Sequence, residues 1–262
     1  MLYLIGLGLN AYGISKEGLD IVKRCKRIYL ENYTVDFPYP ISELEDIIGK
    51  KIISADREKV ESLEIVDEAE KMEVALLIYG SPLTATTHIS LIQEAKALEI
   101  KYKIIYNASI IDAVAETGLQ LYKFGKIASM PKWNPKENFM PESFMEIIQQ
   151  NASMKAHSLI LCDIGLDFEE AINQLKKSAE NCKFELRSEQ KTGNFLTNSP
   201  SGKSQIKGKK IVVCQALGTR RSKIFYKNFE ELGELENIQK PFSIIIPSKL
   251  HFLEKEFLET YE

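Results

Sequence analysis

Few features of this sequence would mark it as disulfide-stapled, metal-bound or membrane-spanning. Its four cysteines, Cys25, Cys162, Cys182 and Cys214, are scattered over 262 residues, with no CxxC pair and no Cys/His cluster of zinc-site spacing. Each stands in an apolar or helical context, which predicts buried, reduced thiols and a cytoplasmic protein. The three histidines, His88, His157 and His251, have no partnered cysteine or acid at ligand spacing, so structural roles and no metal are expected. No apolar run approaches the ~18 residues of a membrane span. Met1 runs straight into an apolar, strand-like stretch with neither a basic leader nor a cleavage site, again as a cytoplasmic enzyme would. A net charge of -3 gives no global attraction to nucleic acid or to an anionic membrane. GxSxG, HExxH and P-loop motifs are all missing, so an enzyme of this sequence would take its reactive group from a cofactor or substrate, which points to group transfer.

What is present alternates strand with helix. Leu2 to Leu7 is a continuous apolar run closed by Gly6-Leu-Gly8, as in a strand buried on both faces. Ser15 is a plausible cap for a helix carrying Leu19, Val22, Cys25 and Ile28. Strands follow at Arg27 to Tyr33, Lys51 to Ala55, Val74 to Tyr79 and Lys101 to Tyr106. Helices lie between them, one of them capped by Asp56 and running to Lys71. This order predicts a parallel sheet with right-handed crossovers over residues 1–125. Beyond a proline-bearing loop from Met130 to Pro141, a second α/β unit over residues 126–262 carries a mixed sheet. Its strands are expected at Ser158 to Ile164, Lys210 to Cys214 and Phe242 to Ile246. Its helices are expected at Glu142 to Gln150, Phe168 to Ala179 and from Lys249 onward. Thr192 to Gly208, rich in Ser, Asn, Gly and Lys, reads as a flexible excursion.

Three loops fall at strand ends where α/β sheets bind ligands. Gly6-Leu-Gly8-Leu-Asn-Ala11 matches a loose dinucleotide fingerprint, with Glu31 where a ribose-binding acid could sit, but no helix opens on the glycines to receive a pyrophosphate. Gly80-Ser-Pro-Leu-Thr84 places two hydroxyls, Ser81 and Thr84, where they can bond an adenine or ribose. Asn107-Ala-Ser-Ile110 stands in the equivalent place, with Ser109 able to cap a helix, touch a ligand or do both.

The start MLYLIGLGL, the segment GSPLTATTH, NASI followed by GLQLYKFG, and the late IIIPSKLH together resemble the diphthine synthases, methyltransferases of diphthamide biosynthesis with the tetrapyrrole-methylase fold. The resemblance implies a homodimer in which each subunit has two α/β domains of the tetrapyrrole-methylase type with the cofactor cleft between them. It implies S-adenosylmethionine as cofactor, leaving as S-adenosylhomocysteine. It implies, as protein substrate, elongation factor 2 bearing a 3-amino-3-carboxypropyl group on a histidine, whose amine is trimethylated to diphthine. No direct nucleic-acid partner is implied. The family's cofactor contacts fall on Leu9, Ser81, Thr84, Ser109 and Ile110, and on Cys162, Leu217 and Phe242. Three of these depart from the family's usual residues: Ser81 replaces an aspartate, Cys162 often a leucine and Phe242 often a histidine. Loss of the aspartate removes a charged acceptor, a bond class of about 1.5 to 3 kcal/mol, and predicts weaker cofactor binding.

A sulfonium donor is already activated, so the protein has only to align a neutral amine with the methyl carbon and exclude water. Asp112, Tyr122, Lys123 and Asp163 are candidates to position the substrate; Lys123 or Lys126 could meet its carboxylate, but a surface lysine is the commoner outcome for both. Arg220 and Arg221 could touch the partner or the cofactor's carboxylate. Two alternatives stand beside this reading: a degenerate methylase that binds elongation factor 2 without turnover, suggested by Ser81, Cys162 and Phe242, and a porphyrinoid or ribosomal-RNA methylase of the same fold.

Overall fold

The computed structural model describes residues 1–185, 206 and 208–262. The chain forms two compact units, Met1–Val114 with Ala216–Ser222, and Ala115–Gln215 with Lys223–Glu262.

The first unit opens with β1 (Leu2–Gly6), α1 (Lys16–Arg24), β2 (Arg27–Glu31), α2 (Ile41–Ile48) and β3 (Ile53–Ala55). It continues with α3 (Arg57–Glu61), α4 (Glu64–Lys71), β4 (Val74–Ile78), α5 (Ile89–Ala97), β5 (Tyr102–Ile105) and the short α6 (Ile110–Ala113). The strands lie in the order β3-β2-β4-β1-β5 and all run parallel. Every residue of β1 and β4 is buried, which is why both read as unbroken apolar runs. Ile21, Val22, Leu44 and Ile48 of α1 and α2 cover one face, while Ile65, Val66, Leu91 and Ile92 of α4 and α5 cover the other. The chain therefore leaves β1 toward one face and β4 toward the opposite face, which makes the carboxyl ends of these two neighbours the topological switch point.

Ser15 caps α1 as its sequence position suggested, accepting from the Gly18 N–H at 3.0 Å. The single helix expected from Asp56 to Lys71 is instead two. Asp56 caps α3, and Leu63 then takes a left-handed φ of 65° that interrupts the helix before α4. The break lets both Val60 and Ile65 point into the core, which a straight helix would not.

The second unit contains β6 (Ala128–Met130), α7 (Ser143–Ser153), β7 (Ser158–Cys162), α8 (Phe168–Glu185), β8 (Lys210–Gln215), β9 (Lys223–Asn228), β10 (Phe242–Ile246) and α9 (Phe252–Leu258). Its sheet order is β6-β7-β10-β8-β9, with β6 and β7 parallel and the other pairs antiparallel, the mixed sheet anticipated from sequence. The two strands not anticipated, β6 and β9, are its edges. One is three residues long and the other is flanked by lysines, so neither carries a core-strand pattern. The loop from Met130 to Pro141 lies against α8: the Trp133 N–H donates to Gln174, Gln174 donates back to the Pro131 carbonyl, and the Trp133 indole donates to the Pro141 carbonyl. The excursion expected from Thr192 to Gly208 lies, apart from Ile206 and Gly208, outside the described residues. Among the described residues no helix is long and apolar enough to cross a membrane.

Candidate functional site

At the switch point of the first sheet, three loops are stitched edge to edge. Gly8 and Gly80 exchange backbone hydrogen bonds, 3.1 Å and 2.9 Å, and both hold left-handed φ angles of 68° and 74° that glycine takes without strain. A Cβ on Gly6 would stand 2.7 Å from the Gly80 oxygen and 2.8 Å from the Asn107 side chain, so the first strand must end in glycine for the loops to meet. Asn107, at the end of β5, is the knot. Its Nδ2 donates to the carbonyls of Gly6 and Gly13, each at 2.9 Å, its Oδ1 accepts from the Ala108 N–H, and its own N–H donates to Ser81 Oγ at 3.4 Å. In the sequence Asn107 stands only as the first residue of the loop after that strand, with no role of its own; the available signal was an amide side chain where a tight turn leaves carbonyls without strand partners.

The residues assigned to the cofactor by resemblance fall here in the first unit. Leu9, Ser81, Ser109 and Leu217 are buried, and Thr84 and Ile110 are half-buried. The loop carrying Leu217 is pressed onto the first glycine turn: a Cβ on Gly218 would come within 2.8 Å of Leu9, and Asn10 donates to the Gly218 carbonyl at 2.9 Å. Leu9 is further held through its carbonyl, which accepts from the Tyr79 hydroxyl at 3.1 Å. Arg221, two residues past Thr219 in the same loop, donates to the Pro38 carbonyl. The edge so formed has glycine backbone for close approach, an apolar wall of Leu9, Ile110 and Leu217, and hydroxyl and amide partners. That donor set fits a nucleoside-bearing small molecule.

In the second unit, Cys162 ends β7 and Phe242 begins β10, so both stand at one end of the second sheet. Phe242 is buried with its ring edge-on to Phe168 at 5.4 Å, and burial pushes the Cys162 thiol far up, leaving it uncharged.

Several sequence expectations are corrected. Asp112 is not a free substrate-positioning carboxylate, because its Oδ2 closes a capping box at α6, accepting from the Ser109 N–H at 2.8 Å and the Ser109 hydroxyl at 3.1 Å. Ser109 thereby does act as a cap. Glu31 is fully buried and turned into its own turn, where it accepts from the N–H groups of Tyr33 and Thr34 and from the Thr34 hydroxyl, so it presents no carboxylate to a ribose. Tyr122 is 82% exposed, and Asp163 is exposed with Oδ1 accepting from the Ile164 N–H, so neither is drawn into a cluster.

Lys123 is no surface lysine. It pairs with Glu254, which is buried, and also donates to the Lys249 carbonyl at 2.9 Å. Glu254 gathers the Gln120 N–H at 3.0 Å, the His251 N–H at 2.6 Å and His157 Nε2 at 3.3 Å. Because His157 Nδ1 accepts from the Ser248 N–H at 2.9 Å, the ring proton belongs on Nε2, facing the carboxylate. Burial pushes the Glu254 carboxyl up, but the bonds from His251, Lys123, Gln120 and His157 outweigh it and bring it down to about 2. Burial lowers His157 despite Glu254, which keeps the imidazole neutral. The same stretch is closed at both ends by glycine: a Cβ on Gly118 would lie 2.4 Å from the Phe257 ring, and one on Gly125 would lie 2.2 Å from Asn151 Oδ1. GLQLYKFG is thus a strap fastened to α9, and its glycines, Lys123 and the distant Glu254 form one constraint.

A family model described as tetrapyrrole (corrin/porphyrin) methylases matches residues 1–233. The diphthine methyl ester synthase of Schizosaccharomyces pombe is 35% identical over an alignment covering 100% of this chain and 94% of that protein. That of Saccharomyces cerevisiae is also 35% identical, covering 98% and 88%. A crystal structure of a diphthine synthase superposes with a TM-score of 0.83 at 27% identity, covering 99% of this chain and 95% of the other.

Proposed function

The chain belongs to the tetrapyrrole (corrin/porphyrin) methylase family, and we propose that this methyltransferase acts in diphthamide biosynthesis. It transfers methyl groups from S-adenosylmethionine to the amine of the 3-amino-3-carboxypropyl histidine of elongation factor 2, giving diphthine. The observation that carries this reading is 35% identity to the Schizosaccharomyces pombe diphthine methyl ester synthase along the entire chain. Both yeast relatives are diphthine methyl ester synthases, which supports a further transfer to the carboxylate, yielding the methyl ester. Elongation factor 2 as partner, a homodimer and a cytoplasmic setting belong to the same proposal.

In this reading the edge of the first sheet holds the donor, with Leu9, Ile110 and Leu217 as apolar wall and Ser81, Thr84 and the Ser109 backbone as polar partners. When bound, the donor supplies an activated sulfonium methyl group. The protein's own work is to bind, orient and exclude water, and no general base of unusual pKa is required because an amine of pKa near ~8 loses its proton to solvent. Ser81 lacks the aspartate's charge, yet it is buried and accepts from the Asn107 N–H at 3.4 Å, so the loop remains built without the carboxylate. This favours an active methylase over a degenerate binder.

The test incubates the protein with S-adenosylmethionine and elongation factor 2 carrying the 3-amino-3-carboxypropyl histidine, and weighs the modified peptide. A ladder of methyl increments is expected, ending at the third for diphthine or the fourth for its ester. Donor and protein substrate both bound with no increment would establish the degenerate alternative instead.

A further inference from the structure

Beside the donor edge lies a group of aromatic side chains that the reading above leaves unused. Phe37, Tyr39 and Tyr79 form a three-ring cluster, with centroids 5.6 Å apart for Phe37 and Tyr39, 5.4 Å for Phe37 and Tyr79 and 6.5 Å for Tyr39 and Tyr79. All three are half-buried. They are tied to the loops of the donor edge at three points. Tyr79 immediately precedes Gly80 and Ser81. Its hydroxyl donates to the Leu9 carbonyl at 3.1 Å. Pro38, between the other two rings, accepts from Arg221 of the Leu217 loop.

The Tyr39 hydroxyl is buried and finds no hydrogen-bond partner among the described residues. A buried hydroxyl is ordinarily satisfied, so one left open beside a ligand edge points to a polar group brought by a ligand. Burial holds both tyrosine hydroxyls protonated, with their pKa values pushed up, so the cluster has no charge of its own.

We propose that the Phe37–Tyr39–Tyr79 cluster is the seat of the substrate nitrogen, taking it as a methylated ammonium against the ring faces. This rests on the methyltransferase reading and deepens it. Each transfer breaks the sulfonium C–S bond and forms a C–N bond, moving the positive charge from sulfur to nitrogen; a proton leaves to solvent before every subsequent transfer. Hydrogen-bond donors disappear from the nitrogen as methyl groups accumulate. A fully methylated ammonium has none, so of the groups a protein can offer it, aromatic faces suit it by cation–π attraction. The Tyr39 hydroxyl serves the earlier states, which still carry N–H. The Arg221 guanidinium at Pro38 suits the carboxylate borne on the same carbon as that nitrogen.

The experiment compares choline with its uncharged isostere 3,3-dimethylbutan-1-ol, measuring the binding of each to the full chain by ligand-observed NMR. Choline is expected to bind about fivefold tighter than the isostere. The preference should persist in Tyr39→Phe and vanish in Tyr39→Leu. Equal binding of the two ligands to the unmutated protein overturns the proposal without any variant, and a preference that survives in Tyr39→Leu overturns it as well. In the peptide-mass assay, Tyr39→Leu should stall at low methylation states while S-adenosylhomocysteine affinity holds; an equal fall in every transfer step counts against the seat. A choline preference in a protein that transfers no methyl group would leave the seat standing and end the methyltransferase reading.

Discussion

The carboxyl edge of the first sheet and the strap of the second unit are both built from turns that admit no side chain at key glycines, yet they are held by opposite chemistry. At the edge, Gly8, Gly80, Asn107 and Ser81 bond through amides, carbonyls and a hydroxyl, all uncharged. In the strap, one buried carboxylate, Glu254, gathers a lysine, a histidine and two backbone N–H groups. A neutral scaffold keeps its shape across pH and needs no counter-charge when a ligand arrives. An ionic one is strong while complete and costly when one partner is missing, because the others stay buried without it.

The contrast breaks hardest at Glu254. Glu254→Ala strips His157 and Lys123 of their partner and is expected to cost about 3 to 5 kcal/mol, read from urea denaturation; a loss under about 1 kcal/mol would show that the strap does not depend on charge. Acid comes next. Burial lowers His88 to about 4 from 6.5, so its unfolded form takes up a proton first and stability falls as pH drops from 6.5 to 4, by about 3 kcal/mol. His157, also lowered, adds to the same slope, and Glu254 extends it from 4.5 down toward about 2. Denaturation midpoints measured between pH 7 and pH 4 should show the fall, and His88→Asn should flatten part of it.

At the neutral edge, Asn107→Ala leaves the Gly6 and Gly13 carbonyls and the Ala108 N–H without their partner and is expected to cost about 2 kcal/mol. Donor affinity should fall at least about tenfold by calorimetric titration with S-adenosylhomocysteine, since three loops lose their common anchor; undiminished affinity would separate the knot from the site. The smallest effect is a gain. Ser81→Asp introduces a charged acceptor at the donor edge and should tighten donor binding by about tenfold, close to 1.4 kcal/mol. Unchanged affinity in that variant would mean that the serine costs nothing.

Much of the architecture was legible because burial writes itself into sequence. LYLIG and VALLI, covered on both faces, could hardly be anything but central strands. Ser15, Asp56 and Ser109 announced helix starts because a cap is a contact within a few residues. The failures were equally physical. The edge strands β6 and β9 carry a weak apolar pattern, and the break at Leu63 follows from which side chains the core admits rather than from local propensity. Asp112 and Glu31 looked like free acids although each carboxylate is consumed by its own backbone turn; for Asp112 the signal was local, the Ser109-x-x-Asp112 spacing of a capping box.

By itself the sequence determined the order of the buried strands and the capped helix starts, the glycine turns at the strand ends and the motifs that resemble a methylase family, since all of these depend on residues near one another along the chain. Only the tertiary structure decided that Asn107 binds Gly6 and Gly13 across some hundred residues, and that Lys123 meets Glu254 from more than a hundred residues away. It also placed Phe37, Tyr39 and Tyr79 together as one aromatic cluster. A single amide, carboxylate or ring has the same composition whether it faces solvent or its partner. What it does follows from which strand end the fold carries it to.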